Sequence, residues 1–487
     1  MRAHSILTHR EVKNLSKQIS IGGGQGFWGD SNDAAIHMIR TAELDYMACD
    51  YLAELTLSIM QRQKLKNPQA GYARDFLKLM DIIAEEAYKK KVGILTNAGG
   101  MNITACVDKL KEMVEGKGLR GYKIGYVLGD DLLDRIPELA AEGIKFENMD
   151  GIGCFDDIKD KIVNANVYYG REPIMDCLGM GADTVLTGRA ADSALFLAPL
   201  AYRMGWKDGD WDNLARGIMA GHLLECGGQG AGGNFQYDWR SVPDMDQLGF
   251  PIAKVSDDDF IITKAPDCGG LISRESVSEQ FLYEVHDPAN YITPDVTVDV
   301  SRATLTNVGE NQVRVGNVHG KEKPDMLKLC IGYHAGWKVV TYLSFAWPNA
   351  YEKAQYAADI LMKKMQRKGM KADEVHISYL GINALHLGVA DMRPELVDNA
   401  NECVLRIAIR AQDKAEVEKI IPEISPLQLN GPPGASFFGG RAKATEVIGL
   451  YPTLIPRDAV KLTSHIVESC KQKSIAEMKK VPQNLHS

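Results

Sequence analysis

His222, Glu225 and Cys226 stand at positions i, i+3 and i+4 of the segment Gly221-His222-Leu223-Leu224-Glu225-Cys226-Gly227-Gly228-Gln229. On a helix such residues share one face. Three chemistries fit this spacing: a histidine general acid/base oriented by a carboxylate, half of a metal site, or a thiolate nucleophile. A structural reading fits too, with a histidine that complements the helix dipole and glycines that stop the helix. Gln229 lies just beyond and can add a polar contact to a ligand.

Three further segments could hold an anion. Gly22-Gly23-Gly24-Gln25-Gly26-Phe27-Trp28-Gly29-Asp30-Ser31 carries five glycines in eight positions. Glycine lets the backbone approach a ligand and aim N–H groups at a carboxylate or phosphate, and a following helix N-terminus adds positive charge. On this reading Gly23, Gly24, Gln25, Gly26 and Trp28 touch substrate, and Asp30 is a second candidate base. The alternative is a tight turn. The segment is neither G-x-G-x-x-G nor a Walker loop, so it gives no support for NAD, FAD or ATP. Asn97-Ala98-Gly99-Gly100 and Gly188-Arg189-Ala190-Ala191-Asp192-Ser193 are similar junctions. Arg189 can clamp a carboxylate bidentately, and Asp192 either joins it at a ligand or simply pairs with it. Weaker signals are Cys268-Gly269-Gly270, His286 beside Asp287, and Gly431-Pro432-Pro433-Gly434 with Arg441, which reads as a lid or as an ordered loop.

These residues need a scaffold. Residues 17–22 read as a strand ending in glycine, and Ser31 and Asn32 are N-cap candidates for a helix over 31–39. Strands and helices then alternate through the helix 211–226, which implies βαβ units and a parallel sheet. Periodicity does not separate an open sheet from a barrel. The expectation is an α/β fold: a mostly parallel sheet with flanking helices, Rossmann-like and doubly wound, plus a strand-rich second region. The expected divisions are 1–235 for the α/β domain, 236–350 for the strand-rich region and 351–487 for a C-terminal α/β region packing back on the first. In an α/β sheet, ligands bind at the carboxyl ends of the strands. Gly23, Gly99 and Gly188 all follow strands, so one shared site for an anionic small molecule is expected.

Composition narrows the class. The chain has 487 residues, 45% hydrophobic and 25% charged, ordinary for a globular protein too long for one core. The net charge of −8 argues against a nucleic-acid face. Nine cysteines without a CxxC pair argue against a disulfide framework or a zinc ribbon. The first 20 residues are polar, with no apolar core of a signal peptide, and no apolar run approaches a membrane span. The expectation is a cytoplasmic homo-oligomer with no nucleic-acid or membrane partner.

Taken in order, these segments resemble the acyclic terpene utilisation protein A family. The resemblance rests on 24–31, Asp45-Tyr46, Asp50-Tyr51-Leu52-Ala53-Glu54, 97–100, Gly188-Arg189 with Asp192-Ser193-Ala194, 220–226, and Tyr283 with His286-Asp287-Pro288 through Thr293-Pro294-Asp295-Val296. It implies catabolism of branched acyl thioesters or other carboxylic acids, with CoA as part of the substrate. It also implies a small ferredoxin-like partner subunit, since too little chain follows about residue 455 to hold such a domain. The expected activity is a lyase of hydro-lyase type on a branched or multi-carboxylate acid or its CoA thioester, with His222 moving the proton, Glu225 orienting it and Arg189 binding carboxylate. The alternatives are a non-catalytic acyl-CoA or organic-acid binding subunit and a CoA-transferase using Glu225.

Overall fold

The structure is a computed structural model that describes residues 18–470. Most of the polar N-terminal stretch, with Lys17 of the first expected strand, lies outside them. The chain opens β1 (Ile19–Gln25), α1 (Asp33–Thr41), β2 (Tyr46–Cys49), α2 (Glu54–Lys66), α3 (Arg74–Lys90), β3 (Gly93–Thr96), α4 (Ile103–Gly116), β4 (Lys123–Leu128). It continues with α5 (Ile136–Ala141), β5 (Ile162–Val167), α6 (Glu172–Gly179), β6 (Thr184–Leu186), α7 (Ala194–Met204) and α8 (Trp211–Glu225). Then come β7 (Pro251–Val255), β8 (Phe260–Lys264), α9 (Arg274–Leu282), β9 (Tyr291–Ile292), β10 (Thr297–Asp299), β11 (Thr304–Gly309), β12 (Gln312–Gly316) and β13 (His319–Lys321). The last part holds β14 (Met326–Ala346), α10 (Ala350–Arg367), β15 (Glu374–Leu380), β16 (Glu402–Ala411), two short helices at 414–418 and 421–424, β17 (Ser436–Phe437), β18 (Thr445–Pro456) and β19 (Thr463–Glu468).

The main sheet is mixed. Its ten strands run β11-β12-β8-β7-β1-β2-β3-β6-β4-β19. The block β1-β2-β3-β6-β4 is parallel. Antiparallel strands extend it on both sides, starting with β7 on β1 and β19 on β4. The α/β expectation therefore holds at the centre. The first strand lies at one end of the parallel block, which is not the Rossmann strand order.

Alternation along the parallel strands loads two cores. Tyr46, Ala48, Leu95 and Val185 face the core made with α6, α7 and α8. Met47, Cys49, Ile94 and Leu186 face the core made with α1, α3 and α4. The two kinds of helix differ accordingly. α3 buries Phe76, Leu79, Met80, Ile83, Ala84 and Ala87, the single stripe of an amphipathic helix, and ends at Lys91 in the left-handed region. α8 is buried nearly all round from Leu214 to Glu225, as expected for a helix inside a layer.

The chain forms two compact units: residues up to 155, 163–331 and from 451 onward, and residues 156–162 with 332–450. The divisions at 235 and 350 are thus replaced. β7 pairs with β1, so the strand-rich stretch begins as part of the first sheet, and the second unit starts inside β14. That unit orders its strands β15-β16-β14-β17, all antiparallel, around α10 and the short helices. This β-α-β-β-α-β arrangement is the ferredoxin-like one. It lies within the chain, before residue 455 rather than after it.

Glycine decides how closely α8 meets β1. A Cβ on Gly23 would lie 2.5 Å from the Leu224 carbonyl oxygen. Gly23→Ala is expected to cost roughly 1–3 kcal/mol through overpacking. Gly116→Ala at the end of α4, where a Cβ meets nothing within 4 Å, should change stability by less than about 0.5 kcal/mol. Urea unfolding of the two variants checks this; equal effects would refute the packing argument.

Candidate functional site

Every parallel strand delivers a polar residue at its carboxyl end. Gly26–Asp30 follow β1, Asp50 follows β2, Asn97 follows β3, Asp130 follows β4, and Arg189 follows β6. The Asp50 N–H donates to the Gln25 carbonyl (3.1 Å) and the Thr187 N–H to the Thr96 carbonyl (2.9 Å), so these ends are laced together.

α8 brings His222 to the same edge. Gly217 and Gly221 allow close packing on α7, with Leu197 and with Phe196 and Ser193 respectively. A Cβ on Gly26 would strike the Cys226 carbonyl carbon at 2.6 Å. His222 is completely buried. Its Nδ1 lies 3.1 Å from Glu225 Oε1, and Ser193 Oγ donates to Glu225 Oε2 at 3.2 Å. Its Nε2 is buried with no hydrogen-bond partner among the described residues. Burial opposes a charged imidazole, but the Glu225 carboxylate outweighs it and holds His222 above its ordinary range. Burial likewise raises Glu225, against the pull of His222. Cys226 is pushed up to about 12 by burial and then by the Glu225 charge, so it stays a thiol at neutral pH.

Arg189 forms the other pole. It is 2% exposed. Its guanidinium stacks 4.0 Å above the Tyr168 ring, and Nη1 pairs with Asp192. Its Nε is buried without a hydrogen-bond partner among the described residues. Lys328 Nζ sits 4.7 Å from the same ring and 3.1 Å from Glu54. Tyr168 donates its hydroxyl to Glu54 at 2.6 Å. Burial pushes the Glu54 carboxyl up, yet the Tyr168 bond and the charges of Arg189 and Lys328 prevail and hold it at about 2. Behind Arg189 runs a buried relay. Ser58 donates to Asn164 (2.6 Å), Asn164 to Asn166 (3.0 Å), and Asn166 to Asp130 (3.1 Å), which also accepts the Arg189 N–H (2.7 Å).

Several expected ligand contacts have protein partners instead. Gly22 to Gln25 belong to a strand, not a loop, because close packing rather than turning demands those glycines. The Gly26 N–H donates to Asp30 (2.9 Å), and the other Asp30 oxygen accepts the Ser31 N–H (2.8 Å). Both oxygens of Asp30, read from the sequence as a second candidate base, thus brace its own loop. Gln25 donates to the Ser31 carbonyl and to Asn32 Oδ1, and Trp28 is half-buried against the adjoining core. Asn97 accepts the Tyr51 N–H and donates to Asp50. Gly99 packs on the Thr187 carbonyl, and Gly100 makes the turn with φ +51°. Gln229 donates to Gln280, which donates to the His222 carbonyl. His286 is exposed, and the segment 431–434 belongs to the second unit. Among the described residues no group of three His, Cys, Asp or Glu side chains could hold a metal.

Sequence reasoning missed Asp50, Glu54, Asp130, Tyr168 and Lys328. Asp50 and Asp130 had a usable signal, since each follows a strand of the parallel set. Tyr168 and Lys328 had none, being joined to the site only by tertiary pairing, with the Tyr168 N–H on the Lys328 carbonyl.

A family model described as acyclic terpene utilisation family protein AtuA matches residues 19–466. The chain belongs to this family. No curated protein matches the chain. No solved structure matches it either. For this AtuA-family chain no helix among the described residues is long and apolar enough to cross a membrane.

Asp130 gives a test of the relay. Burial lifts its carboxyl to about 6, against the Arg189 N–H and Asn166 bonds. A raised folded-state pKa contributes stability below the unfolded value near 3.8 and loses it as pH rises through 6. At about 1.4 kcal/mol per unit, the wild type should lose on the order of 2–3 kcal/mol relative to Asp130→Asn between about pH 4 and 7. Chemical denaturation across that range reads it; parallel profiles for the two proteins would refute the assignment.

Proposed function

We propose that this protein is an acid–base enzyme, a lyase of hydro-lyase type acting on a branched or multi-carboxylate hydroxy acid or its acyl-CoA thioester. The observation that carries the reading is His222. One ring nitrogen is fixed by a carboxylate, and the other is buried and unspent. A buried polar atom without a partner costs about 1–3 kcal/mol, and a donor–acceptor on a substrate would satisfy it. A carboxylate that orients a histidine base through Nδ1 is a recurrent arrangement for proton transfer.

The orphaned Nε of Arg189 supplies the second contact, suited to a carboxylate or to an oxyanion developing on a thioester carbonyl. The glycine N–H groups named at the outset have no part in this, since Gly26 is spent on Asp30 and Gly23 lies in a strand. Both oxygens of Glu225 are occupied by His222 and Ser193, which suits an orienting carboxylate better than a CoA-transferring nucleophile. The family description, terpene utilisation, is compatible with catabolism of branched acids.

Loss of water from hydroxy acids and from their CoA thioesters, followed by the absorbance of the new conjugated double bond, tests the reading. His222→Ala in folded protein should lower turnover by roughly 10²–10⁴, and Arg189→Ala should raise KM. Turnover in wild type that survives His222→Ala would defeat the role of His222. If no acid is turned over and both substitutions change only ligand affinity, a binding subunit is the better description.

A further inference from the structure

We propose that Asp50 is a second catalytic residue of this site, the acid that gives its proton to the leaving hydroxyl while His222 takes a proton from the neighbouring carbon. The inference rests on the hydro-lyase reading and supplies the partner that such a reaction needs, because a base alone leaves hydroxide as the departing group.

Geometry sets Asp50 apart. It is the first residue after β2, 5% exposed, with its N–H on the Gln25 carbonyl. Gln25 leads into Gly26, which abuts Cys226 and Gly227 at the end of α8. Asp50 and the His222–Glu225 pair thus flank the same strand end. One carboxyl oxygen, Oδ1, accepts the Leu52 N–H (3.0 Å) and the Asn97 amide (2.6 Å), and Asn97 is itself fixed by the Tyr51 N–H (2.7 Å). No hydrogen bond engages Oδ2 among the described residues. The carboxyl is therefore held in one orientation with one oxygen unspent. The neighbouring acids are differently employed: Asp30 braces a loop, Glu54 is bonded to Tyr168, Asp192 pairs with Arg189, and Asp130 supports the Arg189 backbone.

Charge points the same way. Asp50, Glu54, Asp130, Asp192 and Glu225 outnumber Arg189, Lys328 and His222. An anionic substrate would meet net repulsion unless some of those acids keep their protons. Burial, followed by the charge of Asp192, pushes Asp50 well above the carboxylate range, against Arg189 and Asn97. A neutral Asp50 removes one repelling charge and is also a donor at the right edge of the sheet.

The step balances. His222 Nε2 receives the proton from the α-carbon, and the C–H electron pair becomes the new C=C bond. The β-carbon–oxygen bond breaks with its pair going to oxygen, and Asp50 Oδ2 supplies the proton that completes water. His222 ends protonated and Asp50 ionised, and exchange with solvent restores both.

Citrate and β-hydroxyisovaleryl-CoA are suitable probes, one tricarboxylic and one a branched thioester. Two readings on each separate the roles: deuterium uptake from D₂O at the α-carbon, which needs the base, and formation of the unsaturated product, which needs base and acid. Asp50→Asn should keep exchange within a few-fold and lose about 10²-fold or more in dehydration, whereas His222→Ala loses both. Dehydration by Asp50→Asn near the wild-type rate overturns the role of Asp50 and leaves the hydro-lyase reading standing. Absence of both exchange and dehydration in wild type overturns the reading and the inference together. Should Asp50→Asn fail to fold, the wild-type pH–rate profile decides. An acid limb from His222 and an alkaline limb from Asp50 support the assignment; an acid limb alone refutes it.

Discussion

The carboxyl end of α8 lies against β1 at a distance that no side chain would permit, and the rest of the site depends on that contact. Gly23 meets the Leu224 carbonyl and Gly26 meets Cys226 and Gly227. Because the backbone of the helix touches the backbone of the strand, His222 and Glu225 are delivered to the edge where β2, β3, β4 and β6 end. Gly217 and Gly221 do the same against α7, so one helix, buried nearly all round from Leu214 on, is set by small residues on two sides. A helix enclosed on both of these sides cannot shift without opening both contacts, and the histidine it carries inherits that rigidity.

Charge is the second constraint. The edge gathers more carboxyls than cations in a region where few atoms reach water. Burial alone would neutralise all the acids, but each meets a different environment. Glu54 has a tyrosine hydroxyl and two cations nearby and stays ionised at about 2. Burial lifts Asp130 to about 6 against its hydrogen-bond donors, with the Asp131 charge adding to the rise. Asp50 is buried and lies beside the Asp192 carboxylate, and the two together raise it well above the carboxylate range. Acids pushed apart in this way are what division into proton donor, proton acceptor and fixed charge requires.

The sequence made the parallel core legible because its signals are local. Strands read at 44–48 and 91–96 and a helix read at 73–90 fall within two residues of β2, β3 and α3, and Asn97 and Arg189 read as residues at strand ends. The helical spacing of His222 and Glu225 was enough to pair them. What was not legible depends on pairing across distance. β7 joins β1 from more than 200 residues away, so the boundary at 235 had no local mark against it. The glycines of 22–26 look alike whether a ligand or a helix fills the space beside them, and only the partner, Leu224, distinguishes the two. Tyr168 and Lys328 are brought together by a backbone bond between distant segments and reach the site through Glu54 and Arg189, contacts with no signature in either segment.

His222 Nε2 and Arg189 Nε, at the centre of this network, have no hydrogen-bond partner among the described residues. Around them a relay of one hydroxyl, two amides and a carboxyl is satisfied and ends on the Arg189 backbone, while Gln25 Oε1 and the Tyr51 hydroxyl are also buried without a hydrogen-bond partner among the described residues. A fold that satisfies Ser58, Asn164 and Asn166 in sequence has the means to satisfy a histidine and an arginine as well. Two orphans of opposite use, one able to move a proton and one able to bind an oxyanion, flank an acid with an unspent oxygen. A purely structural cluster gains nothing from that pattern and loses a few kcal/mol by it. A site that completes its hydrogen bonds only with a guest in place recovers the loss on binding, which is the physical argument for chemistry at this edge rather than mere cohesion.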